Sequence, residues 1–487
     1  MREKLETLPL LQLRELAKAR GLKGISTMKK AELIDLLVAE AEKMENEEKA
    51  REREKEASKE GTRAEAKEST RSEAKESARS ETKENVREEA RESSQETKND
   101  GDNRISQEKE ALDSGEVANG ILEVMADGYG FIRCENYLPG ENDVYVAPSQ
   151  IRRFNLKTGD IIVGNTRVKT QGEKFSALLY VKSVNGYSPS EALHRYNFED
   201  MTPIFPDQRL NLESGNNNVA MRIMDILSPV GKGQRGMIVS PPKAGKTTLL
   251  KHIAKAVTRS YPDIRLIILL IDERPEEVTD IKESIQGKNV EVIYSTFDEL
   301  PEHHKRVSEM VIERARRLVE HKQDVMILLD SITRLARAYN LTVPPSGRTL
   351  SGGLDPAALH MPKRFFGAAR NMREGGSLTV LATALVETGS KMDDVVYEEF
   401  KGTGNMEMVL NRKLQEKRVF PAIDLQKSST RRDDLLLTPA EQEATDIIHK
   451  ALNGLTSDDA AEKLIDLFSR TRNNRDFIEM VKKIRLF

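Results

Sequence analysis

The segment 240–247, which reads SPPKAGKT, constrains the fold more than any other part of this 487-residue chain. It matches the pattern GxxxxGK[ST] except that Ser240 replaces the first glycine, and it lies between an apolar run at 237–239 and a helical pattern that reaches 260. In such a loop, backbone N–H groups turn inward onto phosphate oxygens, and the start of the helix adds its positive end. The sequence therefore predicts an α/β fold with a nucleoside triphosphate at this strand–helix turn.

The residue types in the loop suit phosphate chemistry. Gly245 allows close approach of the backbone, Lys246 places a cation on the outer phosphates, and the Thr247 hydroxyl can ligate Mg²⁺. Replacement of the first glycine costs little, provided that Ser240 has an ordinary negative φ. The residues predicted to bind the nucleotide are Pro242, Lys243, Ala244, Gly245, Lys246, Thr247 and Thr248.

Two carboxylates follow apolar strand patterns. Asp330 ends the run 325–329, which is a Walker-B pattern, and we predict that it organises Mg²⁺. Glu273 follows the run 266–271 and would lie at the carboxyl edge of the sheet, where it could orient the attacking water. The alternative is an acidic start of a helix, which complements the helix dipole and suffices for Glu276 and Glu277.

Apolar runs alternate with helical stretches over 225–436, which predicts a parallel sheet covered on both faces. The strands are predicted at 237–239, 266–271, 291–294, 325–329 and 378–384. Proline and asparagine make 187–224 read as an irregular connector, and 437–487 reads as terminal helices.

The N-terminal part of the chain divides into three segments. Residues 1–44 read as two short helices, either a module that touches nucleic acid or a plain helical hairpin. Residues 45–115 are charged and lack an apolar face, so they are either disordered or transiently helical, and we interpret them as a solvated tether. Residues 116–186 contain five short strand patterns, at 121–125, 129–133, 143–146, 160–168 and 176–184, which suit an OB-type β-barrel.

Composition excludes several classes of protein. The single cysteine, Cys134, excludes an intrachain disulfide and a cysteine-cluster zinc site. The apolar runs are far shorter than the ~20 residues of a membrane helix, and the start of the chain lacks a signal peptide, so we expect a cytoplasmic protein that does not bind a membrane. The formal net charge of −3 means that any nucleic-acid binding depends on local patches.

One such patch is expected in the barrel. Tyr129 and Phe131 alternate along a strand pattern and therefore point to one side, next to Arg133. Two exposed rings beside a cation would form a stacking platform for unpaired bases. The spacing alone leaves open the alternative that one ring belongs to the barrel core.

Longer motifs resemble the family of bacterial transcription termination factor Rho. They are PPKAGKT at 241–247, LIDERPEE at 270–277, LDSITRLARAYN at 329–340, PKRFFGAARN at 362–371, TGSKM at 388–392 and EFKGTGNM at 399–406. The resemblance covers 117–487 well and 1–44 loosely, whereas 45–115 lies outside it and resembles an insertion.

The resemblance implies a homohexameric ring with a RecA-type ATPase core, in which ATP and Mg²⁺ lie between subunits. Glu273 and Lys246 would be catalytic together with interface arginines at Arg431, Arg418 and Arg274, and Phe420 would pack on adenine. The implied RNA contacts are Tyr129, Phe131, Arg133, Tyr145, Glu173 and Phe175 in the barrel, and Arg348 and Lys391 in pore loops at 343–353 and 388–391.

The implied activity is RNA-dependent ATP hydrolysis with 5′→3′ RNA–DNA helicase action. The partners would be single-stranded RNA, RNA polymerase and elongation factors. Two alternatives remain at this point: a rotary or secretion ATPase with a similar core, and an RNA-binding scaffold without enzymatic activity. A rotary ATPase would not need the aromatic platform, and a scaffold would not need Lys246, Glu273 and Asp330.

Overall fold

The computed structural model describes residues 112–213, 215 and 218–483, all of which belong to one compact unit. The helices predicted in 1–44, and the charged segment up to residue 111, lie outside the described residues.

A closed five-stranded barrel begins the described chain, with strand order β1-β2-β3-β5-β4. Its elements are β1 (Asp113–Val124), β2 (Gly130–Arg133), β3 (Val144–Val146), α1 (Pro148–Arg153), β4 (Ile161–Arg167) and β5 (Ser176–Val184). Alternate residues such as Leu122, Ile132 and Ile162 fill its interior. The predicted OB-type barrel is thus present.

The first barrel strand is longer than predicted. It begins at Asp113, inside the range assigned to the charged segment, because polar residues there pair with β4. Asp113 is opposite Arg167, and the Ser114 hydroxyl lies 2.9 Å from the carbonyl oxygen of Thr166. A strand held by backbone pairing and polar side chains has no apolar alternation for a sequence pattern to detect.

The connector is more ordered than predicted. It contains α2 (Pro189–Leu193), β6 (Pro203–Ile204), β7 (Arg209–Leu210) and α3 (Val219–Leu227). The helix α3 crosses the predicted domain boundary at 224/225, since Asn218 caps it by accepting from the backbone N–H groups of Ala220 and Met221. The asparagines that read as an irregular stretch therefore include a helix start.

A nine-stranded sheet forms the centre of the second domain, and six of its strands run parallel in the order β11-β10-β12-β14-β9-β15. Three short strands, β6, β13 and β16, add antiparallel pairs to this sheet. These three strands and the parallel strand β15 were not predicted. The strands from residue 230 onward are β8 (Val230–Gly231), β9 (Arg235–Ser240), β10 (Arg265–Glu273), β11 (Val290–Thr296), β12 (Asp324–Asp330), β13 (Arg370–Met372), β14 (Ser377–Leu385), β15 (Met406–Val409) and β16 (Ser429–Thr430).

Helices cover both faces of this sheet, so its central strands are continuous apolar runs rather than alternating ones. In β10, Ile268 packs against the helix that follows the phosphate loop, while Ile267 packs against the opposite layer. The helices are α4 (Lys246–Ser260), α5 (Pro275–Ser284), α6 (Pro301–Glu320), α7 (Ile332–Thr342), α8 (His360–Gly367), α9 (Lys391–Lys401), α10 (Arg412–Glu416), α11 (Pro439–Leu452), α12 (Ser457–Ser469) and α13 (Asn474–Lys483).

The barrel packs tightly on α6. Gly159 has φ +94°, and a Cβ atom there would lie 2.4 Å from the backbone carbonyl carbon of Glu313. Beside it, the buried Arg195 guanidinium joins Asp160 of the barrel, at 2.8 Å, to Glu320 of α6, at 3.1 Å. The close backbone approach and the buried charges fix the barrel against the domain that contains the parallel sheet.

Gly159→Ala should lower the midpoint of thermal unfolding, because the new methyl group overlaps the α6 backbone in addition to disfavouring the positive φ. We expect a loss of about 2–4 kcal/mol, the sum of strain and overpacking. Gly128→Ala is the matched control, since Gly128 has φ +86° but open space around its Cβ position. Equal loss in the two variants would show that the barrel–α6 contact contributes nothing.

Candidate active site and nucleic-acid interface

The phosphate loop has the backbone shape that its sequence requires. Lys243 and Gly245 have positive φ, +65° and +96°, and α4 begins at Lys246. Ser240 ends β9, is fully buried and is not among the positive-φ residues. The condition placed on the missing first glycine is therefore met.

Lys246 joins the two predicted carboxylates. Its Nζ atom lies 3.1 Å from Glu273 Oε1 and 2.5 Å from Asp330 Oδ1. Glu273 ends β10 and Asp330 ends the neighbouring strand β12, so parallel pairing brings both to one edge of the sheet. Burial opposes the charge on Lys246, but the two carboxylates outweigh it and raise the lysine pKa above its usual value.

Two further side chains complete this cluster and were not predicted. Arg334 lies 2.7 Å from Glu273 Oε1 and donates to the carbonyl oxygen of Asp272, while the Thr383 hydroxyl donates to Asp330 Oδ1 at 2.8 Å. Burial would raise the pKa of Glu273, but Lys246 and Arg334 hold it below its usual value. The only signal for Arg334 was its place in the first turn after the Walker-B strand, and Thr383 had none, since it comes from the next strand of the sheet.

A cavity of about 400 Å³ adjoins the phosphate loop. It is lined by Ala244, Gly245 and Thr248 on one side and by Phe420 on the other, and Phe420 is 52% exposed. A large ring that is open to solvent beside a phosphate loop suits a stacked base. The structure thus brings together the loop residues and Phe420, which lie far apart in sequence.

The predicted interface arginines lie outside the cluster. Arg274 is the residue before α5, Arg418 has φ +61°, and Arg431 follows β16. All three are exposed, and within the described residues none has a side-chain hydrogen bond or ion pair. Their guanidinium groups are therefore available to a neighbouring molecule and are not needed for this chain's own fold.

Four aromatic rings form one surface of the barrel. Phe131 lies 5.8 Å from Tyr129, 6.0 Å from Tyr145 and 5.1 Å from Phe175, measured between ring centroids. All four side chains are half-buried, so the alternative that a ring belongs wholly to the core is wrong. Phe131 faces Tyr145 because β2 and β3 pair in that register.

Arg133 differs from the free cation that was predicted beside these rings. It is only 6% exposed, forms ion pairs with Glu123 and Asp143, and places its guanidinium 4.8 Å from the centre of the Phe131 ring. Its partner Asp143 is also buried, and Oδ1 of that carboxylate has no hydrogen-bond partner in the described chain. Arg133 thus supports the aromatic surface from below.

Glu173 is exposed and accepts from the backbone N–H of Thr170.

The two predicted pore loops touch each other. Gly352 has φ +78°, and a Cβ atom there would lie 2.5 Å from the backbone nitrogen of Met392. The loop 388–391 is held by buried Asp393, which accepts from Thr388 at 2.6 Å and from Arg337 at 2.6 and 2.8 Å. Arg348 and Lys391 are both exposed on these loops.

Within residues 112–213, 215 and 218–483, no helix has the length and apolarity to cross a membrane.

A parallel sheet with a phosphate loop, a Walker-B aspartate and a second buried carboxylate, joined to a barrel with an aromatic surface, defines a P-loop ATPase with a nucleic-acid-binding domain. Relatives named transcription termination factor Rho match 75–77% of this chain: those of Pseudomonas aeruginosa (55% identical, 90% of its length), Bacillus subtilis (55%, 84%) and Escherichia coli K12 (54%, 90%). The chain belongs to the Rho family of transcription termination factors.

Family models agree with this division of the chain. The Rho termination factor N-terminal domain matches residues 4–45, and its RNA-binding domain matches 118–190. The nucleotide-binding domain of the ATP synthase alpha/beta family matches 220–430. The predicted family and the predicted fold class, a RecA-type core with an OB-type barrel, are confirmed.

Among solved structures, an ATPase from the type III secretion system of pathogenic bacteria is similar over 66% of this chain and 94% of its own, with 21% identity and a TM-score of 0.49.

Replacement of Arg334 by Met should reduce the kcat of ATP hydrolysis about 10²-fold, the usual effect of a misplaced catalytic group. Because Arg334 helps to keep Glu273 ionised, its loss raises the Glu273 pKa, and the acid limb of the pH–kcat profile should move to higher pH. Arg412→Met, which removes an exposed arginine paired within its own helix, is the control. A lower kcat with an unmoved acid limb would contradict this role.

Proposed function

We propose that this chain terminates transcription as an RNA-dependent ATPase. It assembles into a homohexameric ring, translocates 5′→3′ on nascent RNA, unwinds the RNA–DNA hybrid and releases the transcript from RNA polymerase in the cytoplasm, where elongation factors are further partners. The observation that carries the proposal is one compact unit that holds both the Lys246–Glu273–Asp330 cluster and a four-ring aromatic surface.

Hydrolysis requires the cluster to exchange partners. Lys246 neutralises Glu273 and Asp330 while no phosphate is near, and ATP would draw its ammonium group to the outer phosphates. Glu273 is then free to orient the attacking water, with Arg334 as its remaining cation. The hydroxyl of Thr247 and the buried carboxylate of Asp330 are hard oxygen ligands that suit Mg²⁺, which when bound would neutralise charge on the phosphates.

The exposed arginines support a site that is completed by a second subunit. Arg431, Arg418 and Arg274 have no partner among the described residues, while the cluster itself lacks a cation beyond Lys246 and Arg334. In related phosphoryl-transfer enzymes, an arginine supplied in trans accelerates hydrolysis by roughly 10³–10⁵-fold. We assign that role first to Arg431.

RNA would be held at two places. Unpaired bases stack on Tyr129, Phe131, Tyr145 and Phe175, while the exposed charges of Arg348 and Lys391 contact the RNA backbone inside the ring. Since Arg is planar and bidentate, Arg348 suits phosphate contact. The two alternative functions have less support. A rotary or secretion ATPase would not need the aromatic surface, and an RNA-binding scaffold would not need the Lys246–Glu273–Asp330 cluster.

The central experiment is ATP turnover by the purified chain with and without poly(C). Turnover should be slow alone and rise with RNA, and the double variant Tyr129→Ala, Phe131→Ala should weaken RNA binding while basal turnover survives. Loss of two stacking rings should cost about 2–6 kcal/mol in RNA binding, at ~1–3 kcal/mol per base. Tyr196→Ala, which removes an exposed ring elsewhere, is the control. Equal turnover with and without RNA would refute the proposal.

Subunit mixing tests the trans arginine. An Arg431→Ala chain and a Lys246→Ala chain should each be inactive alone, but a mixture should regain turnover, since some interfaces then combine an intact Lys246 with a neighbour's intact Arg431. Arg412→Ala is the control and should hydrolyse ATP normally without a second chain, because Arg412 is exposed and paired within its own helix. A mixture that stays inactive, or an Arg431→Ala chain that hydrolyses ATP normally, would place Arg431 outside the active site.

A further inference from the structure

An ion-pair chain joins the aromatic surface of the barrel to the ATPase domain. Glu123 of β1 accepts from Arg133, whose Nε and Nη2 atoms lie 2.8 Å from Oε2. The same carboxylate accepts from Arg306 of α6, whose Nη2 atom lies 2.7 Å from Oε1 and 2.6 Å from Oε2. One carboxylate is therefore shared by a guanidinium from each domain.

On the barrel side, this series of ion pairs ends at the aromatic rings. Arg133 lies against the Phe131 ring, and its second partner is Asp143, so the guanidinium divides its hydrogen bonds between two carboxylates. RNA on the rings adds phosphate charge beside Arg133. Both arginines donate to Oε2 of Glu123, and a carboxylate has few acceptor positions. Any shift of the Arg133 guanidinium therefore changes the number of acceptor positions that Glu123 offers to Arg306.

On the ATPase side, Arg306 belongs to a helix that reaches the catalytic edge of the sheet. Two residues earlier, the buried ring of His304 lies 2.6 Å from the Ser295 hydroxyl at the end of β11. Just beyond that strand, the backbone N–H of Phe297 donates to the carbonyl oxygen of Glu273 at 3.1 Å. A movement of the first turns of α6 is thereby linked to the backbone that carries Glu273.

We propose that Glu123 and Arg306 are positioning residues that couple occupancy of the barrel by RNA to the rate of ATP hydrolysis. This inference rests on the proposed RNA-dependent ATPase, but neither residue touches the nucleotide or the rings. Their pair is the part of the barrel–ATPase junction that is connected to the aromatic surface. A second ion pair across the junction, Lys157–Glu320 at 3.1 Å, has no contact with that surface and gives a matched control.

The test uses the full-length chain and oligocytidylate. For wild type, Arg306→Gln, Glu123→Gln, the double variant and Lys157→Gln, one measures basal kcat, kcat at saturating RNA, KM for ATP and the Kd for RNA. Arg306→Gln should lower the RNA-stimulated kcat about tenfold, within the usual range of coupling between sites. Its basal kcat, its KM and its Kd for RNA should stay within about twofold. Glu123→Gln should match it, and the double variant should be no worse than either single one.

Several results would overturn the coupling. Unchanged stimulation in Arg306→Gln, additive losses in the double variant, or an equal loss in Lys157→Gln would each show that the pair only holds the domains together. A loss confined to the Kd for RNA would make Glu123 a support for Arg133 alone. Failure of the proposed function looks different, since wild type itself would then show no stimulation by RNA.

Discussion

The attraction between one lysine and two buried carboxylates organises the catalytic edge of this protein. Glu273 and Asp330 end adjacent parallel strands, so their charges are forced together by the sheet itself. Without a cation, two ionised carboxylates at such a short range would raise each other's pKa and favour protonation. Lys246 removes that conflict, and Arg334 and Thr383 add further donors to the same two oxygens, Glu273 Oε1 and Asp330 Oδ1. In the absence of nucleotide, the positive and negative charges of the site therefore cancel. A triphosphate can bind by replacing the carboxylates as the partner of Lys246.

The elements that could be predicted from sequence are those whose burial requires a recognisable pattern of apolar residues. The central strands are apolar runs because helices cover both faces, and each predicted run lies inside an observed strand. Other features could be predicted because their residue types are typical of a particular chemistry. They are the phosphate loop at Ser240, the carboxylates Glu273 and Asp330, and the aromatic strand of the barrel. The part of β1 before residue 121 was missed, since backbone pairing leaves no apolar period there. Helix α3 was missed although its residues are mostly apolar, because the asparagines that precede it were interpreted as part of an irregular connector.

Pairings across the fold were harder to foresee than individual residues. Thr383 reaches Asp330 only because β14 lies next to β12, and strand order is not written in a local pattern. Arg133 was expected to be a free cation beside the rings, but it is buried and paired with two acidic residues, one in β1 and one immediately before β3. The position of Arg133 beside the aromatic rings was predicted from the sequence. Its burial was not, because it depends on ion pairs with residues ten positions before and ten positions after it. Those contacts, in turn, make it the link between two domains.

The contact between Gly352 and the backbone of Met392 leaves no space for a side chain between the two loops that carry Arg348 and Lys391. Loops in such close backbone contact cannot slide past each other without separating. In the proposed ring, the two loops would therefore contact a nucleic-acid strand as one unit and not as two independent loops. Asp393 joins this unit through Arg337 to the helix that starts beside Asp330, so hydrogen bonds connect the two loops to the catalytic edge of the sheet.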